Sequence, residues 1–282
     1  MAETQKTIQK EVVVSGVGLF TGEKVSLRIL PSPVHSGIVF QRVDLPHSAS
    51  IPAKLCYVQQ APRCTRLVKD QVGINMVEHL LSSLDAMGVT NVSIEVCGSE
   101  IPASDGSAKL FVDLIEKAGV VAQNAARKTI VITKPIYWSK EGVHLIALPS
   151  NEYKMSYTMH YPGSTLMRSQ YYSISLTPDR YKNEIAPCRT FSIYEEILPL
   201  IEKGLLRGGG LENALVIKED QVMNPDGLRF ADEMVRHKIL DLVGDLSLIG
   251  SRIQGHIISI CSGHASNIAF AKLIENYGGL NE

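Results

Sequence analysis

From Val12 to Val43 the chain reads "VVVSGVGLFTGEKVSLRILPSPVHSGIVFQRV", with apolar and polar positions alternating between Gly and Pro turns. A period of two predicts antiparallel strands joined by hairpins, each with one face toward a core. The period then lengthens. Residues 75–89, "NMVEHLLSSLDAMGV", have apolar positions at helical spacing and stop at Gly88, a C-terminal cap. "NVSIEVCG" alternates again as a strand, and "SDGSAKLFVDLIEKAGV" predicts a second helix, opened by Ser104 or Asp105 and closed by Gly119.

Residues 122–128, "AQNAARK", are polar and lack periodicity, which marks a connector between two units, 1–124 and 128–282. Strand patterns resume in "TIVITKPIYW", "GVHLIALPS", "YKMSYTMHY" and "RSQYYSISL". A helix pattern follows in "FSIYEEILPLIEKG", then the turn "RGGG", the apolar run "NALVI", the helix "RHKILDLVGDL" and the strand "GHIISICSG". Strands followed by helices in each half indicate an α+β fold of two similar domains with mainly antiparallel sheets, because a doubly wound parallel sheet would alternate them. A finer echo supports duplication: "EHLLSSLDAMGVTNVSIEV" and "RHKILDLVGDLSLIGSRIQGHIISI" each place a His near the front of a helix that leads into a strand. Two similar halves packing these helices together bring His79 and His237 to one interface.

The helix "RHKILDLVGDL" raises a chemical question. His237, Lys238, Asp241 and Asp245 fall within an arc of about 100°, and the apolar residues cover the opposite side. Such a stripe is either a solvated face or a set of groups turned toward an ion, since His and Asp four residues apart can close on one metal. With His79 from the echo, His237 and Asp241 make a three-ligand set that leaves a fourth position open, the pattern of catalytic zinc. Glu78, beside His79, fits two roles: a base next to metal-bound water, or the far end of a capping box from Asn75. His264, in "SGHASN" after a strand, is either a solvated loop residue or a general acid, and Asp245 is placed to orient it. Lys238 on the edge of the stripe suits a substrate phosphate. "RGGG" lacks the Gly-Lys-Ser/Thr ending of a phosphate-binding P-loop and reads as a turn. The remaining histidines, His35, His47, His144, His160 and His256, have no acidic neighbours at useful spacing and read as structural or surface residues.

Composition narrows the partners. The 28 Lys and Arg nearly balance 29 Asp and Glu, so no field exists to hold nucleic acid. No stretch approaches the ~18 apolar residues of a membrane span, and the start has no signal-peptide core, so a soluble cytoplasmic protein is expected. Five scattered cysteines without a C-x-x-C pair read as reduced thiols, leaving nitrogen and oxygen as the metal donors.

Taken in order, "VGLFTG", "MVEHLLSSL", "EIPASDGSAKLFV", "RTF", "NPDGLRFADEMVRHKILDLVGDL" and "SGHASN" resemble the UDP-3-O-acyl-N-acetylglucosamine deacetylase family, zinc amidases of lipid A synthesis. The resemblance implies two α+β domains, each a sheet backed by two helices, with the helices sandwiched between the sheets and the active site at their interface. It implies an acylated UDP-amino-sugar substrate, a Zn2+ cofactor that Fe2+ can replace in the cell, and no need for more than a monomer. It assigns His79, His237 and Asp241 to the metal, Glu78 to general base, and His264 with its partner Asp245 to electrostatic stabilisation or general acid. By the same resemblance Thr190 donates to the oxyanion, Phe191 and Lys238 contact substrate, and "YEEILPLIEKGLL" lines a passage for the acyl chain. Two features depart from it: Phe20 stands where the family usually has His, and Cys64, which in relatives can reach the metal, is kept but in unusual surroundings, with Arg63 and Arg66 beside it. The residues alone leave two other readings: a metal hydrolase of another N-acyl sugar or small amide, and a non-catalytic duplicated scaffold.

Overall fold

The computed structural model describes residues 3–47 and 49–279; the outermost ends of the two expected units lie outside that range. The first half comprises β1 (Thr4–Ile8), β2 (Val12–Val17), β3 (Lys24–Pro31), β4 (Ile38–Arg42), β5 (Ala49–Pro52), β6 (Val58–Ala61), β7 (Cys64–Lys69) and β8 (Val72–Asn75). It continues with α1 (Glu78–Ala86), β9 (Val92–Cys97), α2 (Lys109–Ala118) and β10 (Val120–Ala126). The second half comprises β11 (Thr129–Val131), β12 (Ile136–Lys140), β13 (Val143–Leu148), β14 (Tyr153–His160), β15 (Ser169–Ser175) and the short α3 (Pro178–Arg180). Then come β16 (Phe191–Ile193), α4 (Tyr194–Glu202), β17 (Leu215–Lys218), β18 (Gln221–Val222), α5 (Glu233–Ser247), β19 (Arg252–Ile260) and α6 (His264–Gly279).

The duplication is a repeat of topology. One sheet runs β2-β3-β9-β4-β5 and the other β12-β13-β19-β14-β15, with β11 also paired to β19. Along these paths the central strand is parallel to one neighbour, β9 to β4 and β19 to β14, and the other pairs are antiparallel; the added β11 is also parallel to β19. A helix precedes and another follows each central strand. Each half also carries its own insertion before the first of these helices: the small sheet β6-β7-β8 in one, and β16-β17-β18 with α4 in the other.

Residues along β19 alternate strictly between buried and half-buried, as an amphipathic strand over a core requires. α1 is buried at every residue and α5 presents no exposed one. Helices covered on all faces must lie between layers. α5 touches β14, β15 and α6 on one side and α1 on the other. The two helices meet at Gly244, where an added Cβ would stand 2.2 Å from the Glu78 carbonyl oxygen. Only glycine permits that approach.

Three local expectations change. Residues 122–126 are not a connector but most of β10, paired antiparallel with the distant β1. The Gln123 side chain serves a half-buried polar network, with Asn91 Nδ2 donating to its Oε1 at 2.7 Å, so apolar periodicity could not reveal the strand. α2 begins at Lys109, five residues after Ser104: the Asp105 carboxylate accepts from Ser107 N and Oγ, closing a separate turn. Finally, His264 is the first residue of a helix, α6, rather than part of a loop.

Candidate active site

The polar stripe of α5 does not face solvent: His237, Asp241 and Asp245 are 2%, 3% and 0% exposed. This removes the solvated-face reading. His79, from the N-terminal turn of α1, meets the stripe across the close helix contact, its ring centroid 5.0 Å from that of His237. Asp241 Oδ1 lies 3.6 Å from His79 Nε2 and 3.3 Å from His237 Nε2. All three donor atoms fall within 4.8 Å of one another, the one such group among the described residues.

The donor set fits a divalent ion. Bonds of about 2.0–2.1 Å in a tetrahedral shell place neighbouring donors about 3.3 Å apart, close to the two spacings seen. His237 Nδ1 is bonded to the Cys188 carbonyl at 3.0 Å, which fixes the ring with Nε2 turned to Asp241. Burial lowers the pKa of His79 and so favours the neutral imidazole a metal needs. Burial resists charge on Asp241 too, but Lys238 and His237 outweigh it and hold the carboxyl well below its usual range. Lys238 Nζ donates to Asp241 Oδ2 at 2.7 Å, and this partner, with Tyr157, raises its pKa despite burial. Lys238 therefore touches the candidate ligand set as well as the cavity, a contact its place in the stripe did not predict.

Glu78 opens α1 but does not close a capping box, since no side chain caps that helix and Asn75 ends β8. Its Oε2 instead accepts the Thr65 backbone N–H at 3.0 Å. Burial raises its pKa to about 7, with the Asp245 and Asp241 charges adding and His264 opposing. The His264 Nε2 lies 3.9 Å from Glu78 Oε1. Burial alone would discharge His264, yet Asp245, aided by Asp241 and Glu78, raises its pKa to about 10. Its Nδ1 is 2.9 Å from Asp245 Oδ2, as expected of an oriented imidazole.

Two partners of this pair escaped the sequence. The Thr65 hydroxyl donates to Asp245 Oδ1 at 2.5 Å, and Asn267 Nδ2 donates to Oδ2 at 2.8 Å. Ser262 Oγ donates to Asn267 Oδ1 and so sets which end of the amide faces Asp245. Asn267 closes the "SGHASN" run three residues after His264, a signal that could have found it; nothing in the sequence announces Thr65, which only the fold brings to the stripe.

These groups lie at a cavity of about 1310 Å³ whose walls come from both halves. Thr190 and Phe191 line it with Glu78, His79, His237 and His264. The Thr190 backbone is pinned, its N–H donating to the Gly106 carbonyl at 2.8 Å and its carbonyl accepting from Leu215 at 2.7 Å. Gly106, at φ +81°, sits so close to Asn213 that a Cβ would be 2.2 Å from its carbonyl oxygen, which explains "SDGSA" as a clasp on Thr190. The adjacent Arg189 is buried and held by Glu233, with 2.9 Å between Nε and Oε1, tying the "RTF" segment to the start of α5. Phe191 stands edge-on to Tyr161 at 6.2 Å, and α4 presents Ile197 and Ile201 to the same space. The "RGGG" turn docks on the loop before β3: Gly208 N–H donates to the Leu19 carbonyl at 3.1 Å, and its missing side chain leaves room for Gly18.

The UDP-3-O-acyl N-acetylglycosamine deacetylase family matches residues 5–276. The chain belongs to this family. Proteins named UDP-3-O-acyl-N-acetylglucosamine deacetylase are similar to it: that of Chlamydia pneumoniae is 44% identical over 275 residues, covering 97% of this chain and 98% of the relative. That of Chlamydia caviae is 43% identical, with the same shares covered, and that of Chlamydia trachomatis serovar L2 is 43% identical over 97% of this chain and 96% of its own length. Phe20 and Cys64 lie outside the candidate ligand set. Phe20 lines the cavity, its backbone N–H bonded to Glu100 Oε2 at 2.9 Å. Cys64 is buried, and burial with the Glu78 charge pushes its thiol up to about 12, so it stays protonated. Arg63 pairs with Glu196 of α4 at 3.0 Å.

Proposed function

We propose that this chain is a zinc-dependent hydrolase that removes the acetyl group from UDP-3-O-acyl-N-acetylglucosamine, releasing acetate and the free amine. This is the committed step of lipid A biosynthesis, performed in the cytoplasm, and the enzyme works as a monomer. The observation that carries the reading is the buried group of two imidazoles and one carboxylate, with the Glu78 carboxylate and His264 imidazole 3.9 Å apart beside it.

His79, His237 and Asp241 hold the metal, which when bound supplies Lewis-acid polarisation of the amide carbonyl and makes water acidic enough to ionise near neutral pH. Glu78 takes the proton as the water oxygen bonds to the carbonyl carbon. Its raised pKa makes it a strong enough base for that transfer and a reversible one. Thr190 donates its hydroxyl to the oxyanion that forms. His264, kept protonated by Asp245, gives a proton to the amine nitrogen as the carbon–nitrogen bond breaks, and the carbonyl re-forms in acetate. Phe191 packs beside the sugar, Lys238 faces the diphosphate, and Ile197 and Ile201 line the path of the acyl chain.

Steady-state turnover of the acylated UDP-sugar, compared with analogues lacking the nucleotide or the acyl chain, tests the assignment. Loss of most kcat/KM in both analogues is expected. Equal turnover of a simple N-acetyl sugar would replace this reading with that of a less selective amide hydrolase.

A further inference from the structure

Thr65 is 2% exposed and belongs to β7, in the first half's insertion, a strand that carries none of the residues with a role proposed above. Its backbone N–H holds Glu78 Oε2 at 3.0 Å, while its hydroxyl donates to Asp245 Oδ1 and lies 3.2 Å from His264 Nδ1. We propose that Thr65 is a positioning residue for the deacetylation: it fixes the carboxylate of the base and the carboxylate behind the acid in one frame. The inference rests on the functional reading above and deepens it.

The bonding pattern supports this. Asp245 is fully buried, and its Oδ2 is held from α6 by both His264 and Asn267. Thr65 supplies the bond on Oδ1 and the link to the other half of the molecule. Without the hydroxyl, the Asp245 carboxylate keeps two partners on one oxygen and none of the described side chains on the other. A buried carboxylate left in that state reorients to recover a donor, and the imidazole that leans on it turns with it. The backbone N–H on Glu78 Oε2 leaves Oε1 as the oxygen turned toward His264 Nε2. One residue thereby sets the separation between the group that must accept a proton and the group that must give one.

A purely structural Thr65 would matter for its shape, and a positioning Thr65 matters for its hydroxyl. Thr65→Val keeps the shape and removes the hydroxyl; Thr65→Ser does the reverse. In the zinc-loaded full-length chain acting on the acylated UDP-sugar, Thr65→Val is expected to lower kcat by about 10- to 100-fold with KM and metal content unchanged, while Thr65→Ser stays near wild type. In the metal-free protein, the His264 Nδ1–H proton should be visible by NMR in the wild type and Thr65→Ser, and lost to solvent exchange in Thr65→Val. If the Val protein does not fold, Thr65→Ala replaces it, and the ratio of kcat between Ser and Ala variants reads the hydroxyl. A Val protein with wild-type kcat or an unchanged His264 signal, or a Ser protein as slow as Val or Ala, overturns the proposal. A wild-type protein that binds metal yet does not turn over the substrate overturns the deacetylase reading and this inference together.

Discussion

The two halves share strand order and helix placement, yet their interface helices carry different chemistry. α1 contributes Glu78 and His79 and then returns to ordinary core, with Ser83 four residues on donating to the His79 carbonyl. α5 offers His237 at the matching place, but follows it with Asp241 and Asp245, both buried and both bonded to other site residues. Each half alone is incomplete: one has the proposed base and a single imidazole, the other the proposed metal pair and acid. The scaffold is symmetric and the site is not, because only α5 follows its histidine with carboxylates at successive steps of four.

The largest effect that should break this comparison is loss of a ligand. Asp241→Ala is expected to abolish stoichiometric metal binding and activity, while Ser83→Ala, at the equivalent position of α1, retains both; metal analysis of the purified proteins checks it. Full metal content in Asp241→Ala would contradict the ligand assignment. Next is the base: Glu78→Gln should lower kcat by about 10²-fold or more with metal retained, read by steady-state kinetics.

The halves should also divide the pH profile. Glu78 must be ionised, so the rate rises with pH through its pKa of about 7 or below, since a bound cation adds positive charge nearby. In the proposed mechanism His264 must be protonated, so the rate falls as pH rises through about 10 or below, since the same cation also opposes charge on this imidazole. His264→Gln should remove the alkaline limb and leave the acid limb; an alkaline limb that persists would deny His264 the acid role. The smallest effect concerns packing. Gly244→Ala, which forces a Cβ onto the Glu78 carbonyl, should cost about 1–3 kcal/mol, against about 1 kcal/mol for Ala86→Gly at the matching point of α1, measured by denaturant unfolding.

How much of this was legible in the sequence follows from what each contact depends on. His237 and Asp241 share a helix face four residues apart, so spacing alone placed them together, and the echo between the halves supplied His79. Strands such as β3 and β19 announced themselves because one face is apolar and the other is not. β10 did not, because Gln123 is spent on a polar network rather than on core. Glu78 was ambiguous for a local reason: Asn75 three residues earlier is a permitted cap, and only β7 running alongside shows that Thr65 takes its carboxylate instead. Thr65 is invisible, since it acts on Asp245 from a distant segment with no neighbour to mark it, whereas Asn267 shares the "SGHASN" run with His264 and only its bond to Asp245 needs the fold. The sequence shows the chemistry of His264 but not its place as the first residue of α6, the helix that orients both it and Asn267.

The central claim is that the shared interface of the two halves is a metal-dependent deacetylase site. Its most direct test follows acetate release from the acylated UDP-sugar by purified protein with one bound metal, after chelator treatment, and after zinc is restored. Turnover that disappears on metal removal and returns with about one equivalent of zinc is the predicted result. Turnover unchanged in chelator-treated protein shown to be free of metal would contradict it.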